Sequence, residues 1–354
     1  MTRPVLVAPD KFKGTLAADE AALAIGRGLA RGGIEPVELL PVADGGEGTM
    51  DSLVRATGGR VLATEASDPL GRAVEAAFGL LHGGRTAIVE MAQASGLWRL
   101  SESERDAVGA STRGTGQLIR AALETGAREV IVAAGGSAST DGGRGALEAL
   151  GARFAARRAD LEELRRTLRG VRIAVACDVR NPLLGPDGAA RTFGPQKGAD
   201  TSDVEILEKR LADFARLAAR TTGRDPGHEP LAGAAGGLAG GLWAFAGARL
   251  QPGAALVLDV ADFDARARES FAVVTGEGRL DEQTLAGKAV FEVATRARQA
   301  GVPCYAVVGT DALDAFGRRL ISLEVEAATR DGRTASAEDV ERAATRLAQH
   351  RLLS

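Results

Sequence analysis

The feature that most constrains this chain is a device it repeats: a short apolar strand runs into a glycine-rich polar loop, and the loop opens a helix. The fullest copy is Glu129 to Gly151, EVIVAAGGSASTDGGRGALEALG. Val130, Ile131 and Val132 read as a buried strand, and Ala146, Leu147 and Leu150 mark one face of the helix that follows. Glycines let the backbone take positive φ and admit a ligand closely, and amides at a helix start favour an anion. Gly135, Gly136, Ser137, Ser139, Thr140, Asp141 and Gly142 are therefore candidate phosphate contacts. An ordinary tight turn would explain one such loop equally well; the repetition is what argues for a ligand.

Taken in order, Val5 to Ala8 is apolar without alternation, as in a parallel strand buried on both faces. It ends in Pro9-Asp10-Lys11-Phe12-Lys13-Gly14, and Thr15 can cap the next helix. Val37 to Val42 runs into Asp44-Gly45-Gly46-Glu47-Gly48. Open α/β sheets bind ligands beyond the carboxyl ends of their strands, so Asp10, Lys11, Lys13, Asp44 and Glu47 should gather on one edge. Glu47 reads better as a first-turn helix acid.

From Arg60 the pattern changes to three closely spaced strands, around Val61 to Ala66, Val74 to Leu80 and Thr86 to Met91. Ser111-Thr112-Arg113-Gly114-Thr115-Gly116 then opens a helix running to about Glu124, and its arginine suits a carboxylate or phosphate. An arginine-rich helix is expected over Arg157 to Arg169, and Val171 to Ala176 is a strand that delivers Asp178. Phe193 to Ala199 is a polar loop carrying Lys197, and Ser202 with Glu205 forms a capping box. Leu256 to Val260 and Phe271 to Thr275 read as strands, the second opening into Gly276 to Thr284 with Glu277, Arg279 and Asp281, and Lys288 follows. Pro303 to Val308 and Leu323 to Ala327 are the last strands, and Ser336 with Asp339 caps a C-terminal helix.

The fold class is therefore α/β. Residues 1–59 and 261–354 form a doubly wound parallel-sheet domain, residues 60–260 form an inserted α/β domain, and the site is expected in the cleft between them.

Composition narrows the function. Net charge is -3 with basic residues scattered, and aromatics make up 4%, so neither a nucleic-acid nor a membrane-surface partner is expected. The two cysteines, Cys177 and Cys304, sit in apolar runs and read as reduced core residues of a cytoplasmic protein. The N-terminus reads as neither signal peptide nor anchor. No GxxxxGK[ST] or GxGxxG pattern occurs, and the three histidines lie in turns or at the tail. What remains is a set of aspartates, lysines, arginines and hydroxyl-bearing glycine loops. That inventory fits phosphoryl transfer, in which Mg2+ takes oxygen ligands and cations and amides hold the phosphates. The residues alone go no further than a phosphate-handling α/β enzyme.

The segments APDKFKGTL (8–16), PVADGGEGT (41–49), STRGTG, GGSASTDGG, ACDVRNPLLG (176–185), FGPQKGA (193–199) and TGEGRLDEQT (275–284), in this order, resemble the bacterial type I glycerate kinase family. The resemblance covers nearly the whole chain. It implies a flavodoxin-like domain with an inserted α/β domain, and transfer of a phosphoryl group from ATP to D-glycerate, giving 2-phosphoglycerate, with Mg2+ as cofactor. It also implies roles. Asp178 or Asp44 would orient and deprotonate the glycerate hydroxyl, and Asp281 would help Asp44 hold Mg2+ or share the base role. Lys197, Lys13 and Lys288 would neutralise phosphate charge. Arg113 would pair with the glycerate carboxylate, with Asp10 and Arg279 beside the substrate, and residues 135–143 would cradle the nucleotide. A monomer or homodimer is expected. Two departures from the family pattern stand out: the segment after Phe154 is short, and Lys11 stands where serine is common. A kinase for another small hydroxy acid and a non-catalytic binder on the same scaffold are the competing readings.

Overall fold

Five parallel strands make the first sheet, in the order Glu324–Ala327, Cys304–Asp311, Ala272–Leu280, Val5–Val7, Val37–Leu39. The computed structural model from which this is read describes residues 3–285, 288–321, 323–329 and 333–353. Counted along the chain, the order is fifth, fourth, third, first, second, which is the flavodoxin-like winding. Its topological switch lies where Val5–Val7 pairs with Ala272–Leu280, with Val5 opposite Ala272 and Val7 opposite Val274.

Helices cover both faces of this sheet, and its central strands are buried on both sides, Val5–Val7 throughout and Ala272–Leu280 over its first six residues. On one face, Ala18–Arg31 packs against Ala337–Leu347 over a core that includes Val5, Val7, Phe12, Ile25 and Leu29. The two helices approach at glycine: a Cβ added at Gly28 would lie 2.2 Å from the Glu341 carbonyl oxygen. On the other face, Val290 and Ala294 of the helix Ala289–Gln299 join Leu280, Ala306 and Val308.

The second sheet is mixed and six-stranded, in the order Arg249–Pro252, Arg172–Cys177, Glu129–Ala133, Thr86–Glu90, Ala73–Leu81, Arg60–Ser67. The first four run parallel, and the last two form an antiparallel edge. Leu118, Val130, Val132, Leu147, Val175, Leu238 and Leu242 belong to its core. Burying each such aliphatic side chain stabilises the fold by about 1.5–3 kcal/mol.

Contacts divide the chain into one unit of residues 1–44 and 254–354 and a second of residues 45–253. This differs from the expected boundaries at 59/60 and 260/261 because helix Thr49–Thr57 packs on strands Ala73–Leu81 and Thr86–Glu90. It therefore belongs with the second unit.

Several local expectations need correction. Leu256 to Val260 is not a strand but part of the helix Gly253–Val260; Leu256, Val257 and Leu258 are buried in succession, so periodicity could not separate the two states. Asp200, not Ser202, caps the helix Thr201–Thr222, its Oδ1 accepting from the Asp203 amide at 2.9 Å, while the Ser202 hydroxyl donates to the same carboxylate. Thr15 is no cap either: its hydroxyl donates to the Phe12 carbonyl, and the next helix begins at Ala18 with Glu20 reaching back to the Ala17 amide. The arginine-rich stretch after Phe154 is a short hairpin, Arg153–Phe154 with Ala159–Asp160, and then a single short helix, Glu162–Thr167. Ser336 does cap the last long helix, with Asp339 reaching back to its amide. Among the described residues no helix is long and apolar enough to cross a membrane.

Candidate active site

In the first unit the switch point gathers acids. Asp10 follows the strand Val5–Val7, with its amide donating to the Gly276 carbonyl at 2.8 Å, and it is 6% exposed. Burial first, and then the charge of Asp44, pushes the Asp10 carboxyl up to about 7, against the Lys11 amide and ammonium; Glu277 adds to the rise. The Lys11 ammonium lies 3.4 Å from Asp44 Oδ1 and brings a positive charge to this group. Glu277, within the strand Ala272–Leu280, is also pushed up to about 7 by burial, although the Thr284 hydroxyl donates to its Oε1 at 2.6 Å and Lys288 pulls the other way. Glu277 was visible in the sequence only as part of a motif. Its burial is what marks it, and burial was not legible there.

Asp281 sits 3.4 Å from the Arg279 guanidinium, which is largely exposed. Lys288 is the residue just before the helix Ala289–Gln299. The Lys13 side chain is exposed, while its backbone lies against Gly278, where an added Cβ would come within 3.1 Å.

In the second unit, glycines bring loop backbones into contact. The Gly135 amide donates to the Gly45 carbonyl at 3.1 Å, and a Cβ at Gly135 would lie 2.4 Å from the Gly46 Cα and 3.3 Å from Asp178 Oδ2. Gly136 needs its φ of 73°, which a side chain would strain. Into this junction comes Lys197, 2% exposed, donating to Ser137 Oγ at 2.7 Å and to the Ser139 carbonyl at 2.6 Å. Burial lowers its ammonium from an ordinary 10.5 to about 7, with Asp141 and Asp178 opposing that fall.

A cavity of about 430 Å³ opens beside these groups, lined among others by Gly136, Ser137, Asp178, Gln196, Lys197 and Glu47. Arg105, Leu97, Trp98 and Phe193 also line it. The Arg105 Nε is buried without a hydrogen-bond partner among the described residues. Neither Arg105 nor Trp98 stands in a segment whose pattern would single it out. Glu47 precedes the helix Thr49–Thr57 rather than sitting in its first turn, and its Oε1 would be 2.8 Å from a Cβ at Gly136.

The rest of the central loop does something else. The Asp141 carboxylate accepts from the amides of Thr112 (2.9 Å), Gly143 (2.9 Å) and Gly145 (3.1 Å) and from the Thr112 hydroxyl. The anion expected at this helix start is thus the chain's own side chain. Thr140 and Asp141 line a separate cavity of about 570 Å³ with Arg144, Arg210 and Phe214, while Gly142 is buried with a φ of 69°. Arg113 begins the helix Arg113–Glu124 with its guanidinium exposed, and it lines neither cavity.

A cavity lined by glycine loops, a buried lysine and the strand-end Asp178 carries the inventory of a phosphoryl-transfer enzyme. Comparison with known proteins names the family. The model of the glycerate kinase family matches residues 5–351. The chain belongs to the glycerate kinase family. It is 42% identical over 329 residues to a glycerate kinase of Bacillus subtilis (strain 168), covering 88% of this chain and 86% of that one. It is 38% identical over 325 residues to a glycerate 2-kinase of Escherichia coli (strain K12), with 86% and 85% covered. A crystal structure assigned as glycerate kinase 2 from Salmonella typhimurium LT2 matches with a TM-score of 0.84 at 36% identity, over 99% of this chain and 97% of that one. Like the family, the chain is an ATP-dependent kinase of mixed α/β fold.

Proposed function

We propose that this chain transfers the γ-phosphoryl group of ATP to a hydroxyl of D-glycerate, giving 2-phosphoglycerate and ADP. The observation that carries the reading is the buried Lys197 beside Asp178 in a cavity of the glycine-loop junction, in a chain of this family. Asp178 accepts the proton of the attacking hydroxyl. Lys197, the Ser137 hydroxyl and the exposed backbone at Gly136 stabilise the transferring phosphoryl group, whose charge spreads over its equatorial oxygens. A phosphate beside Lys197 opposes the fall that burial causes and favours the charged ammonium as the nucleotide binds.

In the first unit, Asp10 and Asp44 are hard oxygen donors whose repulsion contributes to the raised Asp10 carboxyl, and a divalent cation would relieve it. Among the described residues no group of three or more His, Cys, Asp or Glu could hold a metal ion. Mg2+ would therefore take one or two carboxylates and complete its shell with phosphate and water oxygens. Asp44, paired with Lys11, and Asp281, paired with Arg279, are the candidates. When bound, the ion supplies charge neutralisation at the phosphates. Lys11, Lys13 and Lys288 provide further positive charge, and the exposed Arg279 is retained beside the substrate. The free cysteines, Cys177 buried and Cys304 half-buried, suit a cytoplasmic setting.

The test is ADP release by purified protein with ATP, Mg2+ and D-glycerate, with L-glycerate and no-acceptor controls, and phosphorus NMR of the product. Turnover that needs D-glycerate and yields the 2-phosphate is expected. Turnover with other hydroxy acids but not glycerate would replace the substrate.

A further inference from the structure

The 430 Å³ cavity has two chemical ends. Lys197, Ser137, Arg105, Gln196 and the carboxylates Asp178 and Glu47 are its polar part, and Leu97, Trp98, Leu100 and Phe193 line its apolar part. Lys197 is 2% exposed, whereas Trp98 is 59% exposed, so the apolar part reaches the surface.

Trp98 is an unusual surface residue because it is fixed from several sides. Its indole Nε1 donates to the Ala92 carbonyl at 2.9 Å. The edge of the ring lies on Gly96, where an added Cβ would come within 2.8 Å of it. The Arg99 guanidinium sits over the ring, 4.5 Å from its centroid, and is itself held by the Gln93 and Glu75 carbonyls at 2.7 Å each. The turn carrying it is fastened to the glycine loop: the Leu97 amide donates to the Gly136 carbonyl at 2.9 Å, and Gly96 forms a β-bridge with Ser137. Ser137 is the residue that receives the Lys197 ammonium. A large indole is thus held rigidly on the same backbone that cradles the anion end, with its polar edge satisfied and more than half its surface in water. A fixed aromatic plane loses little rotamer freedom when a ring docks on it, and every nucleobase has a π-face for such a plane.

We propose that Trp98 is the platform on which the adenine ring of ATP stacks, with the triphosphate running toward Arg105 and Lys197. This rests on the reading of the cavity as the ATP site.

Trp98 and Trp243 are the two tryptophans of the chain. Trp243→Phe leaves Trp98 as sole indole, and ADP should quench its fluorescence to saturation, with no such change in a Trp98→Phe variant that keeps Trp243. By calorimetry, Trp98→Ala should weaken ADP binding about ten- to a hundredfold, the range expected for one lost base stack, and Trp98→Phe by no more than about threefold. Tripolyphosphate, which has no base, should bind wild type and Trp98→Ala alike, which also shows that the variant is folded. The KM for D-glycerate should not move. If ADP and tripolyphosphate both bind but Trp98→Ala changes neither, the platform is refuted and the ATP reading of the cavity stands. If neither ligand binds wild type, the ATP reading fails and the platform with it.

Discussion

Replacing Lys197 by methionine keeps most of the side chain's length and volume and removes its charge. Burial lowers this ammonium from 10.5 to about 7. At about 1.4 kcal/mol for each tenfold change in proton affinity, that is roughly 5 kcal/mol of charge-burial cost in the ligand-free protein below pH 7. Against it stand the hydrogen bonds to Ser137 Oγ and the Ser139 carbonyl, whose loss costs about 3 kcal/mol together. Lys197→Met should therefore be more stable than wild type by about 2 kcal/mol at pH 6. The folded-state pKa lies below the unfolded one, so between pH 7 and 10.5 the unfolded chain binds the extra proton and wild-type stability rises across that window. The variant's advantage should shrink through that window and reverse about 1.5 pH units above its lower end, near pH 8.5, at about 1.4 kcal/mol per pH unit. Urea unfolding of the ligand-free protein at several pH values reads this, because Trp98, Trp243 and Lys197 all lie in the 45–253 unit. Turnover should fall at least about a hundredfold, as when one donor to a developing oxyanion is removed. A variant less stable than wild type by the same margin at pH 6 and pH 9 would show that Lys197 is not a desolvated cation and would remove the physical basis of its role.

Asp178→Asn should lower kcat by about a hundred- to ten-thousandfold, the range for a lost general base, with ADP affinity by calorimetry within about threefold of wild type. An unchanged kcat would move the base elsewhere. Asp10→Asn tests the acid cluster of the first unit. Its raised carboxyl contributes stability that is complete below pH 3.8 and is lost as pH rises through about 7, so the variant should gain roughly 2–4 kcal/mol relative to wild type between pH 4 and pH 8 in metal-free buffer. A pH-independent difference in denaturant midpoint would contradict this. Asp141→Ala should lower stability by about 2–4 kcal/mol through three orphaned amides while leaving the KM for ATP within about threefold. A large rise in that KM with an unchanged melting temperature would return Asp141 to the nucleotide.

The strands and the loops at their ends were legible because both signals are local. An unbroken apolar run such as Val130 to Val132 has few alternatives, and glycines in series permit few conformations other than loops. The same logic misleads at Leu256 to Val260, where Leu256, Val257 and Leu258 are buried in succession and leave no period to read. The principle that a helix start attracts an anion was sound at residues 141–145, but sequence alone could not tell whether that anion is a ligand or Asp141 itself. Capping at Asp200 was missed by two positions because Asp200 and Ser202 both offer a box, and only backbone dihedrals choose between them. Arg105, Trp98 and the burial of Glu277 depend on contacts among residues far apart in sequence.

The pairing of Val5 with Ala272 also has a consequence for how the protein is made. At roughly 5–20 residues per second, the first strand leaves the ribosome tens of seconds before its neighbour in the sheet. By then the whole of 45–253 has been synthesised and can build its own core. The N-terminal strands and the helix Ala18–Arg31 must wait as an apolar nascent segment until the C-terminal third emerges. Translation thus imposes an order, with the inserted unit first and the interrupted sheet last, and the early segment is the part of the chain most in need of a chaperone.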